Sequence, residues 1–299
     1  MSYQSLELVL LLTAVLMIAA VFAGSLTSRF GLPALIGFLG LGMVAGVDGF
    51  GVDFNNNAVS KDVGVVALVL ILFSGGLETP WRVVRAVLAP VAILATIGVL
   101  ISAVMVAALT VVVFHKSMGE GMLLGTIVSA TDAAAVFAVI KASGVALRSD
   151  VKALIEVESG SNDPTAAFLV LAATAFLTHT DGGQGGAGLA GLVPHFFMET
   201  AVGLGVGVLV GLGLVLALRR GHVATFGLAG VLATAAGLLA YGSASLLRGN
   251  GFFAVYASGI VAATFAFRHK RGVLLFQDGV AWLAQVTMFL TLGLLVNPR

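Results

Sequence analysis

Long apolar runs separated by short charged or Gly/Pro-containing breaks recur along the whole chain. They predict ten helical spans, at about 6–27, 33–50, 63–77, 87–114, 121–141, 151–177, 192–218, 223–247, 251–267 and 273–296. The third is short, the fourth is long enough to tilt, and the ninth, with Gly251 and Gly259, is at the lower limit for crossing a bilayer. The fold class this pattern predicts is an all-α polytopic membrane protein.

Two spans are interrupted by polar residues where hydrocarbon is expected. In the sixth, Glu156-Val-Glu-Ser-Gly-Ser-Asn-Asp-Pro164 lies between apolar flanks. A helix entering near Val151 carries Asp163 about 18 Å deep, close to the bilayer midplane. Unpaired charge costs several kcal/mol there, so an intramembrane acid marks a pathway, a relay or a compensating partner. On a helix Glu158 and Asn162 form one i,i+4 pair and Ser159 and Asp163 another, on adjacent faces. Pro164 crowds the carbonyl of Gly160, so a kink is expected that frees this oxygen. Carboxylate, hydroxyl, amide and carbonyl oxygens together suit a hard monovalent cation. Ser159, Ser161 and Glu156 also fit plain interhelical bonding, and Glu156 is near enough to the span's end to face water.

The second interruption, Ser129-Ala-Thr-Asp132, falls in the middle of the fifth span. Thr and Asp favour helix starts, so a discontinuous helix broken over 129–133 and restarting near Ala133 is predicted, with the Thr131 and Asp132 oxygens turned toward a cavity. An unbroken helix with Thr131 bonded to its own turn is the competing geometry. Glu78, Glu199 and Asp278 are weaker signals, and the glycines of spans seven and eight read as close helix packing.

Composition narrows the function class. Hydrophobic residues make up 59% of the chain and charged residues 10%, which excludes an ordinary soluble enzyme. A net charge of +1 gives nucleic acid no footing, and the absence of cysteine removes disulfides, thiolate metal sites and Cys nucleophiles. The five histidines are scattered near span ends, and no nucleotide-binding loop, metalloprotease motif or nucleophile elbow occurs, so no cofactor and no enzymatic activity are expected. Eleven of the fifteen Lys and Arg residues, Arg82, Arg85, Arg148 and Lys152 among them, fall on one set of alternate loops. Lys61, Lys116, Arg248 and Arg299 fall on the other, which places the N-terminus outside. The N-terminal run lacks a basic leader and reads as a retained first span. The Gly-rich stretch from His179 to Gly188 reads as a flexible connection.

Ser-Ala-Thr-Asp at 129–132 and Glu-Ser-Gly-Ser-Asn-Asp-Pro at 158–164, on consecutive spans, resemble the cation:proton antiporter superfamily, its NhaP-type branch, and within it the K+/H+ antiporters. The resemblance runs from Met1 and includes Phe-Ser-Gly-Gly-Leu-Glu at 73–78. It implies exchange of K+, or alternatively Na+, for H+. Asp163 would alternately hold cation and proton, Ser159, Thr131 and Asp132 would complete the cation shell, and Asn162 with Glu158 would stabilise the site. It implies a bacterial inner-membrane homodimer with a core over 87–177 and a scaffold over 1–80 and 192–299. Two departures stand out: Ala133 replaces a proline common after the Thr-Asp pair, and ten spans are present of an expected thirteen-helix inverted-repeat fold. The chain is therefore expected to lack C-terminal spans and any cytoplasmic regulatory domain, with a non-transporting membrane module as the rival reading.

Overall fold

Among the described residues each predicted apolar run contains helix. The computed structural model describes residues 3–47, 49–52, 54–133, 136, 139–140, 145–180, 189–220 and 225–296. Most of the second half of the fifth span, and residues 181–188 of the Gly-rich stretch, lie outside the described residues. In chain order the helices are α1 (Tyr3–Arg29), α2 (Ala34–Ala45), α3 (Asn57–Glu78), α4 (Trp81–Ile93), α5 (Val99–Phe114), α6 (Met118–Val128), α7 (Ser149–Thr180), α8 (Leu189–Arg220), α9 (Phe226–Leu246), α10 (Gly251–Thr264) and α11 (Lys270–Leu295). A π-helical turn, Leu94–Gly98, follows Pro90 and joins α4 to α5 in one 34-residue apolar rod over Trp81–Phe114.

Six of these segments are long and apolar enough to cross a membrane, and α2, α6 and α10 are shorter apolar helices. α7, which carries Glu156, Glu158 and Asp163, is outside both groups. The third span is longer than its apolar stretch predicts. Asn56 Oδ1 accepts the Val59 N–H at 3.1 Å, so the helix starts at a polar cap six residues ahead of the apolar run.

The chain forms two compact units. The first comprises Met1–Ile71, Ala134–Ala146 and Gln277–Arg299. In it Phe38 of α2 packs beside Gly24 of α1 and meets Trp282 of α11 edge-on at 6.5 Å. Gly42 and Gly293 bring α2 and α11 together at backbone distance, since a Cβ on Gly42 would lie 2.5 Å from the Leu290 carbonyl oxygen.

The second unit, Leu72–Ala133 and Leu147–Phe276, contains both polar interruptions. Within it α8 packs closely on α10. Cβ atoms on Gly203, Gly207 and Gly211 would fall 2.3, 2.2 and 2.8 Å from the carbonyl oxygens of Asn250, Ala254 and Ser258. Small residues every fourth position let two helices touch backbone to backbone, which is how packing is gained where lipid removes the hydrophobic driving force. Asn250 starts α10 by accepting the N–H groups of Phe252 and Phe253 at 3.0 and 3.2 Å. A valine cluster, Val84, Val87, Val91 and Val157, joins α4 to α7. Phe168, Phe196 and Phe253 tie α7, α8 and α10 together, with ring centroids 4.4 and 6.5 Å apart.

Candidate cation site

The fifth span breaks where its polar residues predict. α6 begins in a capping box: Ser117 Oγ accepts the Glu120 N–H at 3.3 Å, and Glu120 Oε2 accepts the Ser117 N–H at 2.9 Å. The Ser-x-x-Glu spacing is visible in the sequence and had marked no helix start above. α6 then lies close on α5, because a Cβ on Gly125 would reach within 2.2 Å of the Ala103 carbonyl oxygen. The helix ends at Val128, residues 129–132 are non-helical, and helical backbone resumes at Ala133. Ala133 supports this restart without the proline common in the resembling proteins.

α7 supplies the partners for the freed backbone. Ser159, 8% exposed, donates to the Thr131 carbonyl at 2.9 Å and accepts the Ala133 N–H at 3.1 Å. One hydroxyl on a neighbouring helix thus satisfies an acceptor within the gap and the first donor after it. Asn162, fully buried, donates through Nδ2 to Thr131 Oγ1 and to Glu158 Oε1, the latter at 2.9 Å. Thr131 passes its own proton to Glu158 Oε2 at 3.0 Å. Because Thr131 donates to Glu158, its oxygen is left to accept from the amide, which fixes the Asn162 side-chain orientation. Both Glu158 oxygens therefore face donors. Among the described residues Glu158 makes no ion pair, and these hydrogen bonds hold its carboxylate.

Asp163 sits one residue beyond this network, partly buried, with Asp132 and Glu158 as the charges acting on it. The predicted residues are thus brought together, though their duties differ. Thr131 and Ser159 spend their hydroxyl protons on tying the break to α7, which leaves their remaining lone pairs and the Thr131 carbonyl for a ligand. Asn162 Oδ1 is sealed from solvent and has no hydrogen-bond partner among the described residues. A buried amide oxygen left unpaired costs about 1–3 kcal/mol, so the site keeps an acceptor in reserve. Among the described residues no three His, Cys, Asp or Glu side chains are grouped to hold a metal ion. The oxygens here are of mixed kind. α7 remains helical across Pro164. Gly160 has a second role that its neighbours in sequence do not reveal: a Cβ there would come within 2.7 Å of the Tyr256 ring. Glu199, one of the weaker signals, pairs with His195 at 3.2 Å on its own helix.

Comparison with known proteins bears on the family and the fold. The family described as "Sodium/hydrogen exchanger, transmembrane" matches residues 15–299. The chain is 36% identical over 299 residues to the K(+)/H(+) antiporter NhaP of Alkalimonas amylolytica, covering 99% of this chain and 50% of that protein. It is 35% identical to the K(+)/H(+) antiporter NhaP2 of Shewanella oneidensis, over all of this chain and 51% of the relative. It is 29% identical to the Na(+)/H(+) antiporter ApNhaP of Aphanothece halophytica, over 77% of this chain and 44% of that one. The chain spans about half the length of these relatives. In fold it is similar to the sodium proton antiporter MjNhaP1 of Methanocaldococcus jannaschii, with a TM-score of 0.76 at 19% identity, covering 98% of this chain and 71% of that structure.

Proposed function

The chain belongs to the sodium/hydrogen exchanger family, and from that premise we propose that it is the ion-binding part of an antiporter exchanging K+ for H+ at Asp163. The observation that carries this reading is the tie between the broken span and α7. Ser159 and Asn162 reach across to Thr131 and Ala133, so two interruptions far apart in sequence make one site beside Asp163. In the proposed cycle ionised Asp163 holds the cation, with the Thr131 carbonyl, Ser159 Oγ and the Asp132 carboxylate as further oxygens. Protonated Asp163 releases it. Glu158 and Asn162 keep those oxygens in place and carry no cargo. A single carboxylate alternating between cation and proton exchanges one for one.

K+ is favoured because two relatives of about a third identity are described as K(+)/H(+) antiporters; the Na(+)/H(+) relative keeps Na+ as the second reading. Pairing of two copies, a bacterial inner-membrane location, the outside N-terminus, and a division into moving core and static scaffold belong to the same proposal. The test is dye-reported proton flux in everted vesicles carrying the complete polypeptide, with K+, Na+ and Li+ added separately. Cation-dependent flux that Asp163→Asn abolishes is expected. Full exchange by Asp163→Asn would overturn the assignment.

A further inference from the structure

One buried titratable group has no part in the cycle above. Tyr256 of α10 is 6% exposed, and its hydroxyl is sealed without a hydrogen bond of normal geometry. Its ring lies on Gly160, where an added Cβ would stand 2.7 Å from Cζ and 2.8 Å from the hydroxyl oxygen. Glu156, Gly160 and Asp163 are spaced i, i+4, i+7, so they share one face of α7. The phenol therefore sits at the gap between two carboxylates, Glu156 a turn below and Asp163 a turn above, and both act on it electrostatically.

The two ends of this row differ in access. The Glu156 side chain is 37% exposed and pairs with Lys152 at 3.4 Å, so it meets water directly. Asp163 lies seven residues further along α7, and Asn162 beside it is fully buried. We infer that Tyr256 is the relay through which protons pass between Glu156 and Asp163, resting on Asp163 being the exchanging carboxylate. Seven residues of helix separate the carboxylates by about 10 Å along the axis, which leaves about 5 Å on each side of a central hydroxyl, the span of one bridging water. In each passage the phenol gives its proton to the Asp163 carboxylate as its oxygen takes one from the Glu156 carboxyl. Each O–H bond broken is replaced by one formed, and rotation of the hydroxyl resets the path. No phenolate accumulates.

The surroundings leave this route open. Thr79, the polar neighbour of the hydroxyl at the end of α3, has its own proton committed to the Gly75 carbonyl at 2.9 Å. It can therefore only accept from the phenol, competing with Asp163 as a resting partner. α4 meets α10 and α7 through the Val84–Val157 cluster and Ile260, and its Arg82 and Arg85 are exposed. His195 and Glu199 of α8 lie at the Asn250 end of α10, and Tyr241 of α9 stacks on Phe252. Among the described residues, Glu156 and Asp163 are the carboxylates whose charges act on the hydroxyl.

The test compares the complete protein with Tyr256→Phe, Glu156→Gln and their double variant in vesicles, measuring exchange rate against pH and cation concentration. Tyr256→Phe removes a hydroxyl that makes no hydrogen bond of normal geometry among the described residues and keeps the ring on Gly160, so it should fold at least as well, as its melting midpoint in detergent checks. A relay predicts a loss of about tenfold or more at alkaline pH, where proton supply limits, a cation half-saturation within about twofold of the parent, and no further loss in the double variant. Parental rates at every pH in both single variants would overturn the relay, as would an equal loss at all pH values or a raised half-saturation. Asp163→Asn run alongside separates failure of the relay from failure of the site: if it alone is inactive, the site stands without Tyr256.

Discussion

Removing one hydroxyl at position 159 should open the broken span. Ser159→Ala deletes two hydrogen bonds at a residue 8% exposed, one to each side of the gap. Thr131 is exposed, so water replaces the bond at its carbonyl, at a net cost of about 0.5–1.5 kcal/mol. The Ala133 N–H is partly buried, and leaving it unpaired costs about 1–3 kcal/mol. Together these weaken the local structure by about 1.5–4.5 kcal/mol, or roughly 10- to 1500-fold in the opening equilibrium. Hydrogen exchange of the peptide over residues 129–133, read by mass spectrometry in nanodiscs, should accelerate by that factor. Peptides from α8 to α10 should not change. Ser159→Thr keeps the hydroxyl and should retain most of the protection. Unchanged exchange at 129–133 in Ser159→Ala would show that α7 does not hold the break, and the site would lose its frame.

Asn162→Ala leaves Glu158 with one donor in place of two and should cost about 2–4 kcal/mol, lowering the melting midpoint in detergent; adding Glu158→Gln should give less than the sum of the two single losses. Gly259→Ala places a methyl 2.7 Å from the Phe73 carbonyl oxygen and 2.9 Å from Gly76, so it should destabilise by about 1–3 kcal/mol, and a midpoint equal to the parent's would refute that packing. At the water-facing start of α7, Arg148 holds the exposed Asp150 carboxyl below its ordinary value of 3.8, first through its hydrogen bonds. A depressed carboxyl stabilises the fold fully above that ordinary value and loses the effect as pH falls through the lowered one. Exchange protection of residues 150–153 should therefore drop on acidification below about pH 4, and Arg148→Ala should remove the dependence.

The helical runs were legible because each rests on a local sum. About twenty apolar residues exclude water, and a helix satisfies their backbone within itself. The break at 129–132 was legible for the related reason that Thr and Asp in mid-span weaken a helix wherever it sits. Helix ends were less so: α3 starts at Asn57 because Asn56 caps it, and α6 opens on a Ser117–Glu120 box, both in polar sequence that apolar counting passes over.

At the site, residue types and depth were readable and partnerships were not. The i,i+4 pairing of Glu158 with Asn162 follows from helix geometry and is present. That Ser159 would bridge Thr131 and Ala133, or that the hydroxyls would serve the frame before any cation, follows from no spacing on either helix. Tyr256 carried no signal at all, being one aromatic ring in an apolar run, and Gly160 suggested backbone freedom when its observed service is room for that ring.

The sequence by itself determined a helical membrane protein and the two places where its spans turn polar, since the penalty for polarity in hydrocarbon falls on each residue regardless of neighbours. Only the tertiary structure decided which groups meet. A hydrogen bond between helices depends on the height and rotation of both to within an ångström, and those are set by close contacts such as Gly125 on Ala103 and Gly207 on Ala254, summed over helices distant in sequence.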